Sequence, residues 1–552
     1  MRTTITKNPN LDALIPREDF EVLDEGSADH SLRDTIDIAA LEKGQFFYES
    51  LRKPDFQRET ANWPPDKVLE FVRTFLDGDL VPAVILWKSK GNTFVIDGAH
   101  RLSALIAWVQ DDYGDGQLSI PFFANRIAPE QKKVADETRS FIKSSLGSYA
   151  DYRGMAKNPD PSKPEMVARA KRLGSNSIKV QWVNGDSRKA EYSFFKINQS
   201  ATLIDPTELA IIKARHKPNA LAARAMIRAG TGHKYWSDFP ENTQREVEKL
   251  ARDVYNILFD PELSVPIKTL DLPVAGTGYT SESVKLIFDF VNFANHLRPD
   301  MWMEPEKPIK RKKNAETREP LSDDLDGSTT LNYLRVVKRI AARISGNHPG
   351  SLGLHPAVYF YGATGRYQSA AFLGTVALIE ELEQTDGFFS FTQQREKFED
   401  FLLRYRYFVN QIVVSNGSGT KSQDPVFRMY KIILAGVKNA NSDEHIIATL
   451  KADQRLTYLR VLTPDDREYK RNFSSEAKSG AFLREALDTA MRCKICHARI
   501  HFKSISMDHK QRKEDGGRGS VDNAQLTHPY CNTGYKEKIV HDAANADQDE
   551  RR

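Results

Sequence analysis

Cys493-Lys494-Ile495-Cys496 and His528-Pro529-Tyr530-Cys531 share one spacing, with a histidine in the first slot of the second pair. A tight turn can aim two side chains so spaced at a single ion. Together the pairs offer three thiolates and one imidazole, a standard tetrahedral zinc set. A closed set of four such ligands suits a structural ion. The pairs use all three cysteines of the chain, too few for a disulfide framework but suited to a metal site. The competing reading is one chance knuckle with merely buried thiols; the repeated spacing argues against it. His497 and His501, close by, read as surface or packing residues rather than further ligands.

The chemistry lies between these pairs. Ser504-Ile505-Ser506-Met507 alternates like a strand and delivers Asp508-His509 at its end. A polar loop with Gly516-Gly517 follows, then Asn523, Gln525, Leu526 and, directly after Cys531, Asn532. Phosphodiester hydrolysis needs an activated water, a cation on the scissile phosphate and a fixed geometry. A histidine titrating near neutrality suits the base. A neighbouring carboxylate can hold a hard cation, and asparagine can do the same or orient the base. In order, CKIC, MDH, EDGG, DNAQL and CNTGYK resemble the zinc-stapled form of the HNH, or ββα-metal, nuclease family. The resemblance spans about Ala481 to Lys538. It implies that His509 is the general base, that Asp508 and Asn532 hold Mg²⁺ or Mn²⁺, and that Asn523 braces the loop presenting His509. It also implies that Lys536 contacts phosphate, and that Cys493, Cys496, His528 and Cys531 hold structural zinc. His528 stands where the family usually has cysteine.

Composition bounds the rest. The chain has 552 residues, 28% charged and 40% hydrophobic, which fits a soluble protein of two or three domains. Nothing at Met1–Asn10 resembles a signal peptide, and the longest apolar run, Ala370 to Ile379, falls far short of a membrane span. A cytoplasmic protein is expected. The formal charge is +4, yet Arg492 to Lys538 alone carries ten Lys/Arg against five Asp/Glu. That concentration suits a polyanion such as DNA, although an ordinary solvated face gives the same count.

Along the chain, residues 1–45 read as a polar lead-in. Pro64-Pro65 opens a helix with apolar Val68, Leu69, Val72, Phe75 and Leu76, ended by Gly78. Pro82 to Trp87 and Thr93 to Ile96 read as strands about a turn at Lys90-Gly91-Asn92. Asp97-Gly98 leads into a helix to about Gln110, and Ile120 to Ala124 reads as another strand. After Pro206 the pattern turns helical, with amphipathic stretches at Gln244–Leu258, Ser281–Leu297, Leu331–Ile344, Gln368–Leu382 and Gln393–Val413. Residues 303–328 read as an exposed loop and 414–424 as a flexible connection. The aromatic run His355 to Tyr361 reads as core rather than a base-stacking platform.

The N-terminal half holds a second constellation. Asp55-Phe56-Gln57-Arg58 and Trp63 precede the first helix, and Asp97-Gly98-Ala99-His100-Arg101 joins a strand to a helix. Phe194-Phe195-Lys196-Ile197-Asn198 closes a strand-like run. A helix N-terminus attracts anions, glycine lets them approach, and Arg58 and Arg101 can grip phosphate oxygens. Asp97 can hold a cation or water. Asp-Gly-x-x-Arg alone is equally a strand–turn–helix junction with a surface arginine. The ordered set resembles the ParB/sulfiredoxin-like domain with a D-G-Q-Q-R or D-G-Q-H-R motif, found in GmrSD-type modification-dependent restriction systems and DNA-phosphorothioation-linked proteins. The resemblance implies nucleoside triphosphate binding or hydrolysis by Gln57, Arg58, Asp97, Gly98, His100, Arg101 and Asn198. Ala99 and His100 depart from the family's usual Gln-Gln or Gln-His, and Ala99 cannot hydrogen-bond through its side chain.

A multidomain α+β chain is therefore expected: lead-in 1–45, ParB-like α/β sensor 46–215, helical region 216–480 and ββα-metal nuclease 481–552. The function expected is an HNH DNA endonuclease controlled by a nucleotide-binding or NTPase domain, in prokaryotic defence against modified or foreign DNA. Two alternatives stand beside it: a DNA-binding regulator whose HNH fold does not cleave, and an unregulated nuclease whose front domain only docks DNA. A homo-oligomer would let single nuclease centres make a double-strand cut.

Overall fold

The computed structural model describes residues 8–539 apart from 21–31, 58, 90, 128, 201–204, 279, 303–319 and 463–471. The chain divides into two compact units, Met1–Arg215 with Thr231–Ser237, and His216–Gly230 with Asp238–Arg552.

The first unit is built on a six-stranded mixed sheet. Its strands are β1 (Arg17–Glu18), β2 (Thr35–Asp37), β3 (Leu51–Pro54), β4 (Val84–Ser89), β5 (Asn92–Asp97) and β6 (Ser177–Trp182), in the order β1-β3-β5-β4-β6-β2. β3 runs parallel to β1 and β5, β4 antiparallel to β5 and parallel to β6, and β2 antiparallel to β6. Both edge strands come from the stretch read as a lead-in. They are two and three residues long, too short for an alternation to register in the sequence. Along β5 the pleat sends Val95 to one core and Phe94 and Ile96 to the other, so both sheet faces are covered.

Helix α1 (Pro65–Asp77) forms as its punctuation predicts. Proline sits at its start, Val68, Leu69, Val72, Phe75 and Leu76 are buried, and left-handed Gly78 ends it. Helix α2 (Ala99–Gln110) is buried nearly along its length against the same core. Ile120 to Ala124 is no strand: Ser119–Phe122 is one helical turn, held by the buried Asp112 carboxylate accepting from Leu118 N and Ser119 N. The Phe194–Asn198 stretch lies in helix α3 (Ser187–Ser200). Ala190 and Phe194, four apart, bury together there, so helical period decides over the β-like composition of two adjacent phenylalanines.

The second unit is helical and carries the nuclease region. Helices α4 (Glu241–Phe259), α5 (Ser281–Ala294), α6 (Ser328–Ile344) and α7 (Ser369–Gln384) match the amphipathic stretches. Gln393–Val413 resolves into two, α8 (Phe388–Arg404) and α9 (Phe408–Asn416). Residues 414–424 are no flexible connection: they end α9 and begin α10 (Thr420–Lys438), about a short glycine turn. α10 packs on α7 at Gly374, where a Cβ would lie 2.6 Å from Val426 Cγ1. The loop predicted at 303–328 lies mostly outside the described residues. The His355–Tyr361 aromatics are buried, as expected of core. No helix among the described residues is long and apolar enough to cross a membrane.

Candidate nuclease centre, zinc knuckle and N-terminal site

The four knuckle residues are all buried, and their ligand atoms lie within 4.8 Å of one another. His497 takes a left-handed φ of 58°, which lets the turn close with Cys493 N–H donating to Ala498 O at 2.9 Å. The Ile495 N–H points at Cys493 Sγ, 3.4 Å away. His528 Nε2 donates to the Arg499 carbonyl at 3.0 Å, which fixes the tautomer and leaves Nδ1 facing Cys496 Sγ at 3.4 Å. Hydrogen bonds from Cys496 and Cys531 hold the Cys493 thiol far below its ordinary range. Contact with Cys493 pushes Cys496 up to about 12 and raises Cys531, and burial lowers His528. Three thiols and one imidazole converging in a buried cluster fit zinc, which deprotonates the thiols on binding. His497 is exposed, and His501 packs beside His355; neither joins the ligand cluster.

Strands β7 (Ser506–His509) and β8 (Ala524–Thr527) form an antiparallel pair with Asp508 opposite Gln525 and His509 opposite Ala524. The loop between them folds on Asn523. Its Oδ1 accepts from Gln511 N at 2.7 Å, and its Nδ2 donates to Gln511 O and Arg518 O at 3.1 and 2.8 Å. Helix α11 (529–539) follows β8 and carries a wider π turn at Cys531–Tyr535. Such turns recur at functional sites. From α11, Asn532 Nδ2 donates to Ser506 Oγ at 2.8 Å and Met507 O at 3.2 Å. One turn on, Lys536 Nζ lies 2.7 and 2.9 Å from the two Asp508 oxygens and 2.9 Å from His509 O. Asp508 is buried and also accepts from Gln525 Nε2 at 2.7 Å. The half-buried His509 ends the strand beside them. Strand and helix thus bring Asp508, Asn532 and Lys536 together. Gln525 and Ser506 were quoted in the sequence without a role. Their contacts depend on cross-strand register and helix docking, which no motif spells out.

In the first unit, the register of β3 on β5 sets Asp55 level with Asp97, at the carboxyl ends of two parallel strands, where α/β sheets commonly bind ligands. Arg101 turns back from solvent. It donates to Pro82 O and Ala83 O at 2.9 and 2.8 Å and pairs with Asp97. Gly98 has φ +98°, and a Cβ there would lie 2.6 Å from Val84 Cγ1, so close strand packing requires the glycine. His100 is buried and stacks on Trp63, centroids 5.7 Å apart. Asp55 Oδ2 pairs with Arg215 Nε at 3.0 Å, a partner the sequence did not suggest because it lies far along the chain. Asp55 Oδ1 and Gln57 Oε1 are buried with no hydrogen-bond partner among the described residues. Arg58 lies outside the described residues, and Asn198 sits in α3 with its side chain outside them.

A hairpin and helix closed by a Cys3His knuckle, presenting Asp508, His509 and Asn532, is the build of an HNH nuclease domain. Residues 493–538 match the HNH endonuclease family, and residues 41–295 match the N-terminal domain of the GmrSD restriction endonuclease. The chain thus joins a GmrSD N-terminal domain to an HNH endonuclease domain, the make-up of a GmrSD-type restriction nuclease acting on DNA. The N-terminal match runs past Arg215 through α4 and α5. No curated protein and no solved structure matches the chain.

Proposed function

We propose that this protein is a metal-dependent HNH DNA endonuclease whose N-terminal domain senses nucleotide, and that it acts in defence against modified or foreign DNA. The observation that supports the cleavage reading is the docking of α11 on β7, where Asn532 bonds Ser506 and Met507 and Lys536 bonds Asp508 and the His509 carbonyl, next to a loop laced by Asn523. Asp508 and the Asn532 side-chain oxygen are the groups to hold Mg²⁺ or Mn²⁺, which supplies charge to the scissile phosphate and leaving oxygen. The His509 imidazole takes the proton of the attacking water as its oxygen bonds to phosphorus. The phosphorus–oxygen bond to the leaving strand then breaks, that oxygen takes a proton from solvent water, and the imidazolium of His509 returns its proton to solvent. Asn523 keeps the loop after His509 from drifting, and Lys536 is placed to exchange Asp508 for a phosphate oxygen.

The nucleotide reading rests on Asp55 Oδ1 and Gln57 Oε1, buried acceptors without a partner among the described residues, just past the end of β3, the parallel neighbour of the β5 that leads into Asp97 and Gly98. An unpaired buried acceptor is costly unless a ligand, ion or water answers it. Arg101 must leave its carbonyl partners to reach phosphate.

The deciding assay compares cleavage of modified and unmodified DNA, with and without nucleotide, by wild type and His509→Ala. Loss of the base is expected to slow cleavage by about 10²–10⁴-fold. Equal rates for the two proteins would remove the catalytic assignment, and indifference to both nucleotide and modification would remove the sensor. The second reading, a DNA-binding regulator that does not cut, is favoured by one observation: Lys536 already neutralises Asp508. It expects no metal-dependent product from either protein.

A further inference from the structure

Beneath the knuckle lies a buried ion pair that hydrolysis does not use. Arg395 and Glu399, one turn apart on α8, are 1% and 0% exposed, with Nε 2.8 Å from Oε1. The Arg395 guanidinium also donates to Leu352 O and, at 3.0 Å, to Gly353 O. Glu399 Oε1 accepts from Tyr359 OH at 3.2 Å, and Oε2 accepts from the Arg499 N–H at 3.1 Å. The carbonyl of that same Arg499 takes the Nε2–H of His528. A carboxylate therefore holds the N–H of Arg499, the carbonyl of the same residue holds an imidazole, and the imidazole faces the thiols.

The segment gripped by Arg395 presses on the same ring. Gly353 has φ +59°, and a Cβ there would lie 3.0 Å from His528 Cδ2 and 2.6 Å from Ser504 Cβ. Just upstream, Ser351 O accepts from Tyr530 N at 2.9 Å and Pro349 O from Thr533 Oγ1 at 2.7 Å. Those two residues flank Asn532 on α11. Stability alone is a poor reason for the pair, because replacing a buried ion pair by apolar residues is often neutral or stabilising. Apart from the Tyr359 hydroxyl, its remaining partners are peptide groups of Leu352, Gly353 and Arg499, and the last two of these residues touch His528.

We infer that Arg395 and Glu399 are positioning residues of the zinc knuckle, acting through Arg499 and His528 so that the helical layer sets how tightly the nuclease holds its zinc. The inference rests on the zinc reading of the Cys3His cluster. It makes zinc retention a property of helix α8 as well as of the four ligands.

The test is the full-length chain carrying Arg395→Met with Glu399→Met, which strands neither charge. Zinc retention is read by chelator competition, and ligand geometry by the visible absorption of the cobalt-substituted protein. The wild type is expected to hold one zinc. The folded double variant should lose it about 10–100-fold more readily and show a shifted cobalt spectrum. A folded double variant with wild-type retention and spectrum overturns the inference while leaving the zinc reading intact. A wild type that binds no zinc overturns both. Should the double variant not fold, Arg395→Lys decides: its point charge cannot reach two carbonyls and the carboxylate together. Intermediate retention supports the inference, and wild-type retention overturns it.

Discussion

Lys536 shows how a residue can be legible by type and not by partner. The C-N-T-G-Y-K pattern sends its ammonium to phosphate, yet helical spacing sets it one turn from Asn532 and over Asp508, both of whose oxygens it touches. A divalent cation entering there must first displace an ammonium from a buried carboxylate. Lys536→Met removes that competitor and leaves the aliphatic stem. Mn²⁺ binding to the variant, followed by calorimetry, is expected to tighten about tenfold, equivalent to about 1.4 kcal/mol. With the phosphate role proposed for Lys536, DNA cleavage at saturating metal should still fall. Unchanged or weaker Mn²⁺ binding would show that the two cations do not compete. The aspartate, histidine and asparagines stand out in the sequence because the chemistry proposed for them calls for those side chain types. Gln525, which fixes the second Asp508 oxygen, was not, because any cross-strand donor of suitable length would serve.

At the scale of elements, punctuation carried most of what could be read. Proline at the start of α1, Gly78 at its end and Asp97-Gly98 before α2 each fix backbone angles that few other residues tolerate. Gly98→Ala tests the strongest case. The residue sits at φ +98° with Val84 Cγ1 2.6 Å from any Cβ. Left-handed strain plus overpacking should cost about 2–4 kcal/mol. Five of the six tryptophans lie in the first unit, so urea unfolding followed by tryptophan fluorescence reports it directly. A midpoint within error of the wild type would remove the packing account. The misread elements share a cause. Phe194-Phe195 and Ile120 to Ala124 are short apolar runs in which strand and helix patterns coincide, and burial from a distant partner decides between them. Asn198 was assigned on that strand-like run, and the edge strands β1 and β2 were missed because two or three residues show no period.

Across the second unit, the nuclease region and the helices form one body, and their contact contains two histidines that the reaction does not use. His355 and His501 stack edge to face, centroids 5.5 Å apart, both almost wholly buried. Burial, reinforced by the facing His501, Arg499, Arg395 and His528, holds His355 well below its ordinary value of 6.5. Burial and nearby Lys503 bring His501 down to about 3. Neither His501 nitrogen has a hydrogen-bond partner among the described residues. The unfolded chain therefore takes up two protons below about pH 6.5 that the folded unit refuses. Above that pH both states carry neutral rings and the pair adds no pH dependence. As pH falls from 6.5 toward the folded values, stability drops, by about 1.4 kcal/mol per pH unit for each fully titrating histidine. Calorimetric melting of the zinc-loaded protein between pH 7.5 and 5.5 should show this loss. His501→Phe keeps a buried aromatic ring without the proton site, and shares the knuckle and its own acid sensitivity with the wild type. Its melting temperature is expected to fall less steeply over that interval. Parallel slopes in the two proteins would mean that the loss comes from the knuckle alone and that the docked histidines are silent.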